Sequence, residues 1–157
     1  MIREARVEDS KRISEIYNHY VATTVITFDE FPQKADKFAK SIENGDPWFV
    51  SEDDGAVTGF AYAVQWKSKN AYRYIYESTI YLDVDKAGKG TGSLLYKKLI
   101  DSSKERGLHS LIACIVLPYD LSVNFHEKHG FKKVGHVTEA GYKFEKWIDV
   151  GYWQLLL

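Results

Sequence analysis

The chain has a single cysteine, Cys114, among its 157 residues. An internal disulfide is therefore impossible, and the fold must rest on an ordinary hydrophobic core. A reducing, cytoplasmic compartment is the matching expectation. Proline is almost as scarce, at three, so breaks between elements fall to glycines and polar turns. No apolar run approaches the roughly 20 residues of a membrane span. The start, MIREARVEDSKRI, lacks the apolar stretch of a signal peptide. There is no surplus of one charge either. The formal net charge is −1, which removes the electrostatic argument for nucleic acid or an anionic membrane as partner. Repeats, low-complexity segments and linkers are absent. One domain over 1–157 is expected, of a size that supports one core.

What the chain has in quantity is aromatic side chains, 15% of residues. Tyr and Trp join apolar area to a polar tip, so they serve a pocket for a small polar ligand or a core equally well. The local pattern alternates between two periods. IREA (2–5) reads as a strand, and Asp9 or Ser10 can cap a helix carrying Ile13, Ile16, Tyr17 and Val21. VITF (25–28) leads through Pro32 into a second helix with Phe38 and Ile42, ended near Gly45. Trp48–Ser51 and Ala56–Gln65 read as strands joined by Asp53-Asp54-Gly55, and Ile75–Leu82 as a third. A helix then runs to Arg106, with Gly107 as its stop. Leu111–Leu117 is continuously apolar, as for a strand buried on both faces. Asp120 opens a helix ending at Gly130, and Phe131–Val134, Tyr142–Phe144 and Val150–Leu157 complete the strands. The order predicts an α/β (α+β) fold, a mixed sheet flanked by helices.

The densest signal is DKAGKGTGSLLYKKLI (85–100), where Gly88, Gly90 and Gly92 run into a helical pattern. A P-loop is excluded, because neither Ser nor Thr follows the lysine of Gly88-Lys89-Gly90. A dinucleotide turn fits poorly. The third glycine comes one place early, and the acidic residue nearest the required position, Glu105, lies within the helix. A third option is a pyrophosphate cradle: successive backbone N–H groups from Gly88 to Ser93, the positive helix end behind them, and charge from Lys86 and Lys89. A plain strand-to-helix turn competes with it.

The glycine turn has company. ESTIYL (77–82) precedes it and NFHEKHGF (124–131) follows. With EIYNHYV, TTVITFDEFP, GFAYAVQWKSKNAYRY and EAGYKFEKWIDVGYWQL they span nearly the whole chain. Together these stretches resemble the GNAT N-acetyltransferase superfamily, and within it the phosphinothricin and methionine sulfoximine N-acetyltransferases. The glycine turn is specific to the superfamily; ESTIYL and the tryptophan-rich end point to the subfamily. The resemblance implies a twisted, mostly antiparallel sheet, acetyl-CoA as co-substrate, and a homodimer formed through the C-terminal strands. It also implies pyrophosphate binding by Lys86, Gly88, Lys89, Gly90, Thr91, Gly92 and Ser93. Backbone groups of Ile80, Tyr81 and Leu82, freed where their strand splays from its neighbour, would meet the pantetheine arm and the thioester oxygen. Two positions depart from the usual pattern. Ala87 stands where Gln or Arg is common in the loop, and Tyr119 where Asn often follows Leu-Pro.

Acetyl transfer to an amine needs a base, a polarised carbonyl and a departing thiolate. A period of two places Glu77, Thr79 and Tyr81 on one face of their strand, opposite Tyr76, Ser78 and Ile80. A carboxylate among aromatics is costly unless paired or employed, and burial would lift its pKa toward a base's working range. The resemblance makes Glu77 that base, directly or through water; a wet sheet face or an ion pair with Arg73 competes. Arg73, four residues earlier, shares the face if the strand is continuous and would grip an acceptor carboxylate; the competing reading is a surface arginine near a turn. Phe28, Trp66 and Tyr142 wall the pocket or fill the core. His126 stands where many superfamily members carry a tyrosine that protonates the thiolate; it serves as that acid or simply packs its helix. His126 and His129 lack the spacing and third ligand of a zinc motif, so no metal is expected. Cys114, flanked by apolar residues, reads as inert packing. The combined expectation is acetyl transfer to a small amino-acid-like acceptor by direct attack in a ternary complex. The rivals are a protein N-terminal or lysine acetyltransferase and a non-catalytic acyl-CoA sensor.

Overall fold

A computed structural model describes residues 1–86 and 90–157. Ala87, Gly88 and Lys89 of the glycine turn lie outside the described residues. The strands are β1 (Ile2–Glu4), β2 (Trp48–Asp53), β3 (Ala56–Gln65), β4 (Ile75–Leu82), β5 (Ser110–Leu117), β6 (Lys132–Lys143) and β7 (Lys146–Leu156). The helices are α1 (Ser10–Thr23), α2 (Ala35–Glu43), α3 (Thr91–Glu105) and α4 (Asp120–Lys128). The strands form one sheet in the order β1-β2-β3-β4-β5-β7-β6. β4 and β5 run parallel, and the other neighbours pair antiparallel.

Each face of the sheet carries its own core. On one face, Leu95, Tyr96, Leu99 and Ile100 of α3 pack on Phe49, Ala61, Ala63, Leu111, Ala113 and Ile115. On the other, Ile13, Ile16, Tyr17 and Val21 of α1 and Phe38 of α2 meet Trp48, Val50, Phe60 and Tyr81. The helical spacing of those α1 residues thus becomes a buried stripe. Asp9 precedes α1, but its carboxylate turns back, accepting from the Arg6 N–H at 2.7 Å and pairing with Arg3.

Two expectations need correction. The C-terminal third forms two long strands, β6 and β7, where three short ones were expected. The hairpin turns on Phe144 and Glu145, both left-handed at φ 50° and 59°. That conformation normally calls for Asn or Gly, so the turn carried no sequence signal. Register shifts between Lys133 and Gly135 and between Val137 and Gly141 also break the alternation that would have marked a long strand. The second correction concerns Cys114, which is exposed. The helix-covered core on its face draws on β2, β3 and β4, leaving this part of β5 uncovered. Neighbouring Tyr152 and Glu77 still crowd the thiol, and desolvation pushes it up to about 11.

Candidate active site

The site is organised by the place where β4 and β5 part. Their ladder has three rungs: Ile75 with Ser110, Tyr76 with Leu111, and Glu77 with Ile112. β4 continues to Leu82 paired with β3 alone. Residues 78–82 therefore turn a strand edge into a wedge that opens toward the α3 N-terminus. Just beyond the last rung, the Ser78 hydroxyl stands 2.7 Å from the Tyr96 hydroxyl and donates to the Ile112 carbonyl at 3.2 Å. The splaying thus frees the β5-side backbone groups of Ile80 and Leu82 for a ligand, whereas those of Tyr81 turn toward Phe60 of β3, because alternate residues of a strand face alternate neighbours.

At the mouth of the wedge the chain enters α3 through Gly90, left-handed at φ 78°. A Cβ on Gly92 would lie 3.2 Å from Leu82 Cδ1 and 3.7 Å from Phe125 Cε2, so the glycine lets the helix start press close against the end of β4. Thr91, Gly92 and Ser93 supply the first-turn N–H groups of a 15-residue helix, and its positive end faces the opening. This combination fits coenzyme A. A slender amide-bearing arm matches a free strand edge, and a diphosphate matches a helix N-terminus. Lys86 is spoken for in part: its ammonium pairs with Asp53 at 3.0 Å. Gly88 and Lys89, expected in the same cradle, lie outside the described residues.

Glu77 occupies the last rung itself, opposite Val64 on β3 and Ile112 on β5. Its carboxyl is half-buried. Burial raises its pKa above the ordinary carboxylate range, and the charge of Lys67 offsets part of that rise. Thr79 and Tyr81 share its face as expected. Tyr62 lies across from Thr79, and the Tyr81 ring stands 5.3 Å from Tyr17 and 4.9 Å from Tyr20. The Tyr20 hydroxyl donates to the Leu82 carbonyl at 2.5 Å, fixing the end of β4 from the α1 side.

The residues predicted to hold an acceptor divide. Trp66 meets Tyr152 edge-on at 6.5 Å and Tyr72 at 5.7 Å. Tyr152 in turn feels the charge of Glu77, so Trp66 borders the Glu77 surface. Phe28, 39% exposed, lays its ring on Gly141 of β6. Tyr142 is the next residue and faces the other way, paired across the hairpin with Trp147 at a ring distance of 5.0 Å. The structure does not bring Tyr142 to the Phe28 contact.

Arg73 is not brought to Glu77 either. The strand begins only at Ile75, and Arg73 ends a 3-10 turn over Asn70–Tyr72. Its guanidinium lies 4.5 Å over the Tyr74 ring and donates to the Asn70 carbonyl. It lines a surface cleft with Tyr76, whose side chain belongs to the opposite face of the sheet. The cation whose field reaches Glu77 is Lys67, 5.1 Å over the Trp66 ring. Sequence reasoning missed it, because nothing separates the two lysines of WKSK without knowing where β3 stops.

His126 is buried, 6% exposed, among the rings of Tyr96, Phe125 and Phe131 at 5.3, 5.4 and 5.5 Å. Its Nδ1 lies 2.8 Å from the Ser122 carbonyl oxygen. A carbonyl only accepts, so Nδ1 carries the proton. Burial lowers the pKa, leaving a neutral ring with Nε2 unprotonated. Among the described residues no three His, Cys, Asp or Glu side chains gather as metal ligands.

Comparison with known proteins agrees with this geometry. Residues 2–151 match the acetyltransferase (GNAT) domain. A phosphinothricin N-acetyltransferase of Streptomyces viridochromogenes is 40% identical over 156 residues, covering 98% of this chain and 85% of the relative. An L-methionine sulfoximine/L-methionine sulfone acetyltransferase of Salmonella typhimurium is 34% identical, covering 99% and 94%. The crystal structure of a phosphinothricin acetyltransferase from Sinorhizobium meliloti in complex with AcCoA superposes with a TM-score of 0.95 at 33% identity, covering all of this chain and 88% of that one. A sheet that parts at Glu77, a glycine-lined helix start at the opening and this likeness over almost the full length lead to one conclusion: the chain belongs to the GNAT family of acetyltransferases.

Proposed function

We propose that this enzyme moves the acetyl group of acetyl-CoA to the amine of a small amino-acid-like acceptor, of the kind for which its phosphinothricin and methionine sulfoximine relatives are named. The observation that carries the reading is the placement of Glu77, a carboxyl with raised pKa at the point where the sheet opens. Acetyl-CoA, when bound, supplies a thioester carbonyl. The chain supplies the rest. Backbone groups of Ile80 and Leu82 along the β4 edge orient the arm and polarise the carbonyl, and the start of α3 holds the diphosphate. Glu77 takes the proton of the acceptor amine, directly or through one water, so that the amine attacks the carbonyl within a ternary complex; the carbon–sulfur bond then breaks, and coenzyme A leaves as a thiolate that takes its proton from water. Trp66 and Phe28 wall the acceptor space, and Lys67 is the nearby cation suited to an acceptor carboxylate. His126, neutral and donating from Nδ1, packs α4 against α3 and stays outside the proton transfers.

Two further elements belong to the reading. The exposed rings of Tyr142 and Trp147, with Val137 on the same hairpin, support a homodimer through the C-terminal strands. The unpaired thiol of Cys114 supports a reducing cytoplasmic setting. No helix among the described residues is long and apolar enough to cross a membrane.

The test is acetyl-CoA-dependent thiol release by the purified protein, against phosphinothricin, methionine sulfoximine, the common amino acids and a few peptides. Turnover with an amino-acid-like acceptor, largely lost in Glu77→Gln, supports the reading. Turnover confined to peptides would transfer it to a protein acetyltransferase. Coenzyme A binding without any turnover would favour an acyl-CoA sensor.

A further inference from the structure

Lys143 is the most deeply buried cation of the described residues, 2% exposed, and the chemistry above makes no use of it. It sits at the end of β6. Its ammonium donates to three carbonyls: Val21 at 2.8 Å, Thr27 at 2.9 Å and Asp29 at 2.8 Å. All three of its protons are thereby placed. Val21 lies in the last turn of α1, where carbonyls lack partners within the helix and the negative end of the dipole favours a cation. Thr27 and Asp29 flank Phe28 in residues 24–34, a connection without helix or strand between α1 and α2.

The same hairpin receives the Phe28 ring. Gly141 stands two residues before Lys143, on the same face of β6. A Cβ there would come within 2.4 Å of Phe28 Cε2, 2.6 Å of Cζ and 2.9 Å of Cδ2. The ring therefore rests on bare backbone, while the peptide groups on both sides of it are fastened to the ammonium. From the other side, Tyr17 holds the same connection: its hydroxyl lies 2.6 Å from both Thr27 Oγ1 and Asp29 Oδ2. Tyr17 packs edge-on against Tyr81 of β4, so the connection is referenced to the wedge as well as to the hairpin.

We propose that Lys143 and Gly141 are positioning residues that clamp the α1–α2 connection and set the Phe28 ring as the wall that selects acceptor side chains. This rests on the acceptor space proposed above. Neither residue touches the reacting atoms. Each acts through Phe28, one by holding the backbone on either side of it and the other by leaving room for the ring.

The experiment compares wild type, Gly141→Ala, Lys143→Met, Phe28→Ala and the two double variants with Phe28→Ala. It measures kcat and KM for phosphinothricin and methionine sulfoximine, coenzyme A affinity by calorimetry, and amide hydrogen exchange of residues 24–34. Gly141→Ala and Lys143→Met are expected to raise acceptor KM about tenfold or more and to change the ratio of kcat/KM for the two acceptors, because small displacements of a positioning wall are costly. Coenzyme A affinity should stay within about twofold. In the Phe28→Ala background the same substitutions should leave the acceptor ratio unchanged, as expected of groups acting through one ring. Gly141→Ala removes no hydrogen bond, so it decides the matter if Lys143→Met folds poorly. An unchanged acceptor ratio in Gly141→Ala, or shifts that simply add to that of Phe28→Ala, would overturn the proposal. A wild-type protein that acetylates no acceptor would overturn the proposed function instead. Hydrogen exchange of residues 24–34 would then judge the clamp, and protection unchanged in Lys143→Met would sink it.

Discussion

Glu77 and Ile112 form the last rung shared by β4 and β5, so the carboxyl stands on the residue where the sheet divides. Its neighbour Ser78 points to the opposite face, toward Tyr96. One strand thus offers a carboxyl on one face, a polar tie on the other and a free backbone edge between them.

Replacing Glu77 by Gln should lower kcat by roughly 10²–10⁴, the usual worth of a positioned acid or base. Coenzyme A affinity should hardly change. In the wild type, kcat/KM should fall with decreasing pH through an apparent pKa above the ordinary carboxylate range, the direction set by burial of Glu77. A pH profile flat through that region in thiol-release assays would count against Glu77 as the base.

The same substitution should stabilise the protein at neutral pH. Because the folded pKa lies above the unfolded one, the unfolded chain binds fewer protons in the window between them, and stability falls as pH rises through it. The cost of the buried charge is fully present above the folded pKa and vanishes below the unfolded one. Thermal melts of Glu77→Gln and wild type should therefore differ most at pH 7–8, with the gap closing as the carboxyl of the wild type is protonated.

Ser78→Ala should cost about 1–3 kcal/mol, the penalty for leaving a buried hydroxyl without its partner. Tyr96 is fully buried and shares its hydroxyl contact with Ser78. Adding Tyr96→Phe to Ser78→Ala should return part of the loss, because it removes the orphaned group. Denaturant melts of the four proteins give the coupling, and strict additivity would mean the two hydroxyls do not depend on each other.

His126→Asn retains a donor suited to the Ser122 carbonyl and removes the imidazole. With His126 outside the proton transfers, kcat should stay within a few-fold and the alkaline limb of the pH profile should not move. A fall of about a hundredfold, on the scale of general acid catalysis, would restore His126 to the chemical step.

Trp147, 62% exposed, faces Tyr142 on the outer side of the hairpin. If this surface joins two copies, Trp147→Glu should shift the molar mass seen by light scattering from dimer to monomer. Lone surface rings seldom change association, so an unchanged mass would place the contact elsewhere.

Much of this was legible in the chain. α1 announces itself by Ile13, Ile16, Tyr17 and Val21, and the alternation of Glu77, Thr79 and Tyr81 survives intact because β4 is regular over those residues. Arg73 was placed beside Glu77 by counting back along a strand whose start the chain does not mark, and the strand begins only at Ile75. Nothing in the chain said which face of the hairpin Tyr142 would take. The Phe144–Glu145 turn used left-handed residues that rarely adopt that state. Lys143 was invisible for a different reason. In YKFEKW it looks like any solvated lysine, and only the return of residues 21–29 across the hairpin gives its ammonium three acceptors.

An open strand edge is ordinarily a hazard, because unpaired N–H and C=O groups invite pairing with another chain. Here the edge at 78–82 lies inside a sheet, closed at one end by the three rungs to β5 and flanked at the other by the start of α3. The shape therefore separates reactivity from risk: the backbone hunger that would drive aggregation at an outer edge is kept for a single thin guest.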